Sequence, residues 1–260
     1  MTLSTPNALA DWVHELCERQ PEAAKLLNAS AEEQHRRGYF HTLREILQQP
    51  ATWIHTARQM SERTADLSAC LEDARLVVLT GSGSSEYAGD CVRLPLQKQL
   101  GLNAVAIGGG AFLILPASPL PPEGPGLVVS LARSGDSPES EGALALLLES
   151  DPELRHLVIT CNAGGKLATS FRGNPRVQVV ALDDKTNDRS LVMTSSFTNL
   201  VVAVQSLGFV NTPNLYQAQC RQFGRSGRRG DRRQTRTAVG RRRSPAAGDR
   251  RRRRRPGAGA

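Results

Sequence analysis

Paired cysteines are missing from this chain. Its five cysteines (Cys17, Cys70, Cys91, Cys161 and Cys220) stand far apart, with no Cys-x-x-Cys spacing. An odd number without framework spacing excludes a disulfide scaffold and suits a reducing compartment with buried or incidental thiols. A long apolar run is missing too. The most apolar stretch, Ala104 to Leu120, is interrupted by Gly108-Gly109-Gly110 and by Pro116 and Pro119, so a membrane span is excluded. Met1 to Glu15 lacks a basic start followed by an apolar core, and no signal peptide is indicated. A soluble, cytoplasmic chain with no membrane partner is expected.

Acidic residues are scarce at one end only. The net charge of +8 would ordinarily suggest a polyanion partner, but its distribution removes that reading. Residues 221–260 hold 16 Arg, no Lys and two acids, a net of +14, which leaves −6 for residues 1–220. The acidic part gives no reason to expect nucleic acid. The basic segment has no Leu, Ile, Met, Tyr or Trp. It cannot bury enough surface to offset chain entropy and is expected to be unstructured. Two origins stay open for it. One is a basic arm binding nucleic acid non-specifically and salt-dependently. The other is an out-of-frame translation of a GC-rich gene, for which Arg, Gly, Ala and Pro are the typical products.

At 260 residues the chain has room for one large or two small domains. Leu9, Trp12, Val13 and Leu16 mark a helix within residues 5–27. Pro50 is expected to stop a helix that begins near Thr42, with Trp53 to Met60 starting the next. This segment is expected to cover the edge of a sheet. From Leu76 the pattern becomes strand–helix alternation, with strands near 76–80, 103–107, 127–132, 156–161 and 176–181. Such alternation implies parallel strands joined by right-handed crossovers. Pro95 falls inside the helix expected from Ser85 to Leu100, where a kink or early stop is expected.

Two of the strand–helix junctions share a design. Val128-Val129-Ser130-Leu131-Ala132 runs into Arg133-Ser134-Gly135-Asp136-Ser137-Pro138-Glu139-Ser140, with Ser137 as N-cap and Pro138 in the first helical turn. Leu76-Val77-Val78-Leu79-Thr80 runs likewise into Gly81-Ser82-Gly83-Ser84-Ser85-Glu86. A junction of this kind gathers backbone N–H groups, hydroxyls and the positive end of a helix dipole, which suits a phosphate. An ordinary capped turn is the plainer reading of either loop alone.

Other glycine-loop chemistries fit less well. Gly81-x-Gly83-x-x-Glu86 lacks the third small residue of a dinucleotide fingerprint, and Gly108-Gly109-Gly110 stands where an acid for the ribose belongs. Gly164-Gly165-Lys166-Leu167 is not a P-loop. Ser84 and Ser85 lie in no Gly-x-Ser-x-Gly elbow, and the five histidines form no motif. No metal-ligand cluster or cofactor signature appears.

Four motifs in order, Leu79 to Ser85, Arg133 to Ser140, Ile159-Thr160-Cys161-Asn162 and Met193-Thr194-Ser195-Ser196, resemble the sugar isomerase (SIS) domain family, nearest its galactosamine-6-phosphate deaminase and tagatose-6-phosphate ketose/aldose isomerase branch. The resemblance covers roughly Gly38 to Phe209. It implies an α/β fold with a doubly wound five-stranded parallel sheet in the order 2-1-3-4-5, N-terminal helices over residues 1–70 and the SIS domain over 71–212; the tail departs from it completely, and composition makes 213–260 a linker and an unstructured basic tail. It implies a phosphorylated sugar or aminosugar as ligand and a homo-oligomer for the full-length protein. Ser84, Ser85, Arg133, Ser134 and Ser137 are the expected phosphate and sugar contacts, and Thr194 and Ser195 resemble positions that approach the sugar. For Arg133 a bidentate role on phosphate and a solvent-facing side chain are equally open.

The family's catalytic glutamate, histidine and lysine lie in a second SIS domain, in a stretch similar to Phe-Arg-His-Gly-Pro-Lys that this chain does not contain. The catalytic residues are therefore unassigned, and whether this chain is an enzyme stays open. Catalytic incompleteness is expected, with a non-catalytic sugar-phosphate-binding regulatory module as the alternative. Without the second domain, part of Val192, Phe197, Val201, Val204 and Phe209 is expected to be uncovered.

Overall fold

A computed structural model describes residues 7–114, 120 and 124–229. Five helices lead: α1 (Asn7–Arg19), α2 (Pro21–Asn28), α3 (Ala31–Arg36), α4 (Phe40–Glu62) and α5 (Thr64–Leu71). Then strands and helices alternate: β1 (Leu76–Gly81), α6 (Ser84–Leu100), β2 (Asn103–Gly108), α7 (Gly109–Ile114), β3 (Gly126–Ala132), α8 (Pro138–Ser150), β4 (Leu154–Thr160), α9 (Lys166–Thr169), β5 (Val177–Ala181) and α10 (Ser195–Gln205). A last helix, α11, spans Pro213–Arg229.

The sheet is wholly parallel, in the order β2-β1-β3-β4-β5. Residues alternate between its faces with the period of two that a strand imposes. Val77, Leu79, Val129, Leu131, Leu157 and Ile159 face α5, α6 and α10, in one core cluster with Leu67, Val92 and Leu200. Leu76, Val78, Val128 and Leu154 face Phe112 of α7 and Leu147 of α8. Every residue of β1 and β3 is buried, which explains why both read as continuous apolar runs. Between these central strands the crossovers leave in opposite directions, so a crevice opens beyond their carboxyl ends.

Neither proline stops the helix that holds it. Pro50 does not end a helix; it lies inside the 23-residue α4. Pro95 likewise lies inside the 17-residue α6 and does not stop it. Each removes one backbone hydrogen bond, and packing outweighs the loss. Helix α4 is flanked by α10 and α11, and it approaches α11 so closely that a Cβ on Gly224 would stand 2.7 Å from the Pro50 carbonyl oxygen. Helix α6 is seated in the core through Ala88, Val92 and Leu96.

Nor does α4 simply cover the sheet edge. It lies on α10, where Thr56 Oγ1 donates to Asn199 at 2.7 Å and Trp53 Nε1 to Thr198 at 2.9 Å. It reaches the edge strand through Gln59, which donates to the Ala181 carbonyl at the end of β5 (2.7 Å).

Residues 213–229 form a helix where a linker and the start of the basic tail were expected. Tyr216 anchors it by stacking on Phe209 and donating to the Val202 carbonyl at 2.5 Å. The tail beyond residue 229, with its expected nucleic-acid binding, lies outside the described residues. Of the five residues expected to be uncovered, Val192 is exposed. Val204 is fully buried, and Phe197, Val201 and Phe209 pack against core residues.

His156 of β4 is buried, and neither ring nitrogen has a hydrogen-bond partner among the described residues. Burial, aided by the charge of Arg176, pulls its pKa from 6.5 down to about 4. Above pH 6.5 the ring is neutral in folded and unfolded chains alike. As pH falls from 6.5 towards 4, the unfolded chain takes up a proton that the folded one resists, and up to about 3 kcal/mol of stability is lost. His156→Leu should flatten that part of the profile, which melting temperatures at pH 5 and pH 7.5 would show.

Candidate functional site

The loops after β1 and β3 meet at the crevice. Gly83, at φ +59°, turns the chain from β1 into α6. Gly135, at φ +71°, does the same between β3 and α8. These left-handed conformations explain a glycine at each place. The loops are joined across the crevice by Ser82 and Ser140, whose hydroxyl oxygens stand 3.1 Å apart.

A cleft of about 140 Å³, open to solvent, lies between them. Hydroxyls dominate its polar lining (Ser82, Ser85, Ser134, Ser137 and Ser140), with Arg133 beside them and Met193 on the far wall. Ser137 is the residue before α8, yet its side chain makes no capping hydrogen bond. The first turn of a helix leaves N–H groups without helical partners and carries the positive end of the dipole. Anion chemistry therefore fits this edge of the cleft.

The motif after β4 works behind the scene. Asn162 Nδ2 donates to the Ser134 carbonyl at 2.9 Å, Leu167 N–H to the Gly135 carbonyl at 2.8 Å, and Lys166 N–H to Asp136 Oδ1 at 3.1 Å. Three bonds thus hold the β3–α8 loop in place from the neighbouring turn. Cys161 is buried, and burial pushes its thiol up to about 12. A thiol so protonated is no nucleophile at neutral pH.

The fourth motif builds the remaining wall. Asp188, buried after β5, accepts from the N–H groups of Thr194 (2.8 Å), Ser195 (3.1 Å) and Ser196 (2.9 Å) and from the Ser196 hydroxyl (2.6 Å). A carboxylate is well matched to the N-terminus of α10. The chain between Asp188 and α10 is thereby looped towards the cleft and presents Met193 to it. Arg133 joins this wall: its Nη1 donates to the Ser190 carbonyl at 3.1 Å, so the guanidinium is tied to the cleft and does not point freely to solvent.

Of the residues expected from the sequence, Ser85, Arg133, Ser134 and Ser137 line the cleft together. Ser84 is exposed at the start of α6 and is not part of that lining. Thr194 and Ser195 sit at the N-terminus of α10, and neither lines the cleft. Ser195 is fully buried, its Oγ accepting from Gln48 Nε2 at 3.3 Å. The Thr194 hydroxyl is buried without a partner among the described residues. Sequence reasoning missed Ser82, Ser140 and Met193 as lining residues, although all three stand inside its motifs. The signal for Ser140 was its spacing of three from Ser137, which puts both on one side of the first turn of α8. Among the described residues no group of three or more His, Cys, Asp or Glu is placed to hold a metal ion. No described helix is long and apolar enough to cross a membrane.

Comparison with known proteins agrees with this architecture. No family model matches the chain. A Streptomyces coelicolor protein provisionally named D-galactosamine-6-phosphate deaminase is 42% identical over 169 residues, 63% of this chain and 44% of the relative. The D-galactosamine-6-phosphate deaminase of Shewanella sp. (strain ANA-3) is 36% identical over 195 residues, 72% of this chain and 50% of its own length. Among solved structures, the tagatose-6-phosphate ketose/aldose isomerase from Escherichia coli superposes with a TM-score of 0.67 at 29% identity, over 82% of this chain and 56% of that one. The chain spans about half the length of the curated relatives it matches. With the parallel sheet in the order 2-1-3-4-5 and serine loops after its first and third strands, these likenesses give the chain the α/β fold of the sugar isomerase (SIS) domain.

Proposed function

We propose that the cleft binds the phosphate of a galactosamine-6-phosphate or tagatose-6-phosphate type of ligand, and that the chain is the ligand-binding half of an aldose–ketose isomerase or aminosugar-phosphate deaminase. The observation that carries this reading is the convergence of five serines, Arg133 and the N-terminus of α8 on one cleft at the switch point of the sheet. The names of the relatives supply the sugar.

Isomerisation or deamination moves a proton between C1 and C2 of the open-chain sugar, which calls for a base beside those carbons. The cleft lining has no Glu, Asp, His or Lys. Its residues hold and orient the ligand by hydrogen bonds and one guanidinium, and the base comes from outside this cleft. The same lining favours a second reading, a module that binds a sugar phosphate without turning it over. Under either reading the chain works in the cytoplasm, the whole protein is a homo-oligomer, and any nucleic-acid binding is a non-specific property of the tail.

Titration calorimetry tests the proposal. Galactosamine-6-phosphate or tagatose-6-phosphate should bind, and unphosphorylated galactosamine should bind far more weakly. Ser137→Ala should weaken binding by about 1.5–3 kcal/mol, the worth of a hydrogen bond to a charged group. Because the Ser137 hydroxyl caps nothing, the same change should alter stability by less than about 0.5 kcal/mol. Unchanged affinity would remove Ser137 from the site. Equal affinity for galactosamine would remove the phosphate.

A further inference from the structure

Glu45 lies in the second turn of α4, far in sequence from every cleft residue, and is only 7% exposed. Its carboxylate is used up by one turn of chain after β5. Oε1 accepts from the N–H groups of Arg189 (2.6 Å) and Ser190 (3.1 Å), and Oε2 from the Ser190 hydroxyl. Ser190 is the residue whose carbonyl receives Arg133 Nη1. One buried carboxylate therefore stands a single residue away from the only cationic side chain lining the cleft among the described residues.

The chemistry explains why a carboxylate belongs there. Two successive backbone N–H groups and a hydroxyl converge on it, a pattern an acceptor-only group satisfies in full. With its N–H and hydroxyl both held, Ser190 has little freedom left, and its carbonyl is fixed as the acceptor for Arg133. An arginine loses rotamer freedom when it is immobilised. Committing one of its five N–H donors to Ser190 settles that cost before any ligand arrives and leaves the others for an anion.

We infer that Glu45 is a positioning residue for anion binding: through Ser190 it holds the Arg133 guanidinium at the wall of the cleft. The inference rests on the proposed phosphate reading of that cleft. It gives the leading helices a part in ligand binding that their packing alone does not suggest.

A double-mutant cycle read by calorimetry with galactosamine-6-phosphate tests it. Glu45→Ala should weaken binding about tenfold, and Arg133→Ala by at least as much. The double variant should bind no more weakly than Arg133→Ala alone, because Glu45 acts only through that side chain. Glu45→Gln, which keeps an oxygen for the two N–H groups, should stay within about threefold of wild type. Should Glu45→Ala fail to fold, Ser190→Ala removes one of the three bonds and should give about a threefold loss that also vanishes without Arg133. Equal losses with and without Arg133 would reveal a general structural effect and overturn the inference. So would wild-type affinity in Glu45→Ala beside a weakened Arg133→Ala. No binding by the unaltered chain would instead strike the phosphate reading itself, and this inference with it.

Discussion

Asp188→Ala should cost at least about 4 kcal/mol of stability, because three N–H groups, two of them buried, and one buried hydroxyl lose their acceptor and each orphaned group costs roughly 1–3 kcal/mol. The carboxylate is 5% exposed and collects its four bonds from Thr194, Ser195 and Ser196 at the first turn of α10. Alanine leaves that helix end uncapped at the centre of the α4–α10 packing. Asp188→Asn, which keeps an acceptor but loses the charge, should fall between the two. Denaturant unfolding measures both. Ligand binding should fall with stability, since the same four bonds hold the turn carrying Ser190 and Met193. A loss below about 1 kcal/mol, the scale of an ordinary substitution, would mean that α10 does not depend on this carboxylate.

Gly165→Ala should distort the cleft, although Gly165 itself is not part of the lining. The backbone at Gly165 is ordinary, with φ −67°, so the difficulty is space alone. An added Cβ would stand 2.1 Å from the Ser134 carbonyl oxygen and 3.2 Å from Gly135 Cα. Both neighbours are backbone and cannot swing aside. Either the β3–α8 loop or the turn before α9 must move, and the bonds from Asn162, Lys166 and Leu167 to that loop break as it does. Overpacking of this kind costs about 1–3 kcal/mol, and affinity should drop more steeply than stability because Ser134 and Ser137 move with the loop. Calorimetry beside thermal melting separates the two. Retained affinity would show that the loop adapts, and that its position is not what binding requires.

The fold was legible because β1 and β3 are short apolar runs that lead into glycine- and serine-rich loops, and because the alternation of strand and helix leaves few parallel topologies open. That α4 runs on through Pro50 was not legible. Local rules stop a helix at Pro50, but the acceptors and apolar surfaces that carry α4 past it come from α10 and α11, more than a hundred residues away. Residues 213–229 were misread for the same reason: Tyr216 and Cys220 bury themselves against Ala57, a partner that composition does not reveal. At the site, Ser85, Arg133, Ser134 and Ser137 could be named because a strand–loop–helix junction fixes where its hydroxyls go. Thr194 and Ser195 could not be separated from Met193, since which of three successive residues enters the cleft depends on Asp188 gripping the backbone. Glu45 carried no local signal at all; its partners lie about 145 positions downstream.

The central claim is that the serine loops after β1 and β3 together bind the phosphate of a sugar phosphate. Amide chemical shifts of the isotope-labelled chain, followed during titration with galactosamine-6-phosphate, test it most directly. The N–H signals of residues 82–85, 133–137, 139 and 140 should move together along one binding curve, those of 189–193 should follow, and the distant turn at Gly173 should stay still. Shifts confined to other parts of the molecule, or equal shifts with unphosphorylated galactosamine, would contradict the claim.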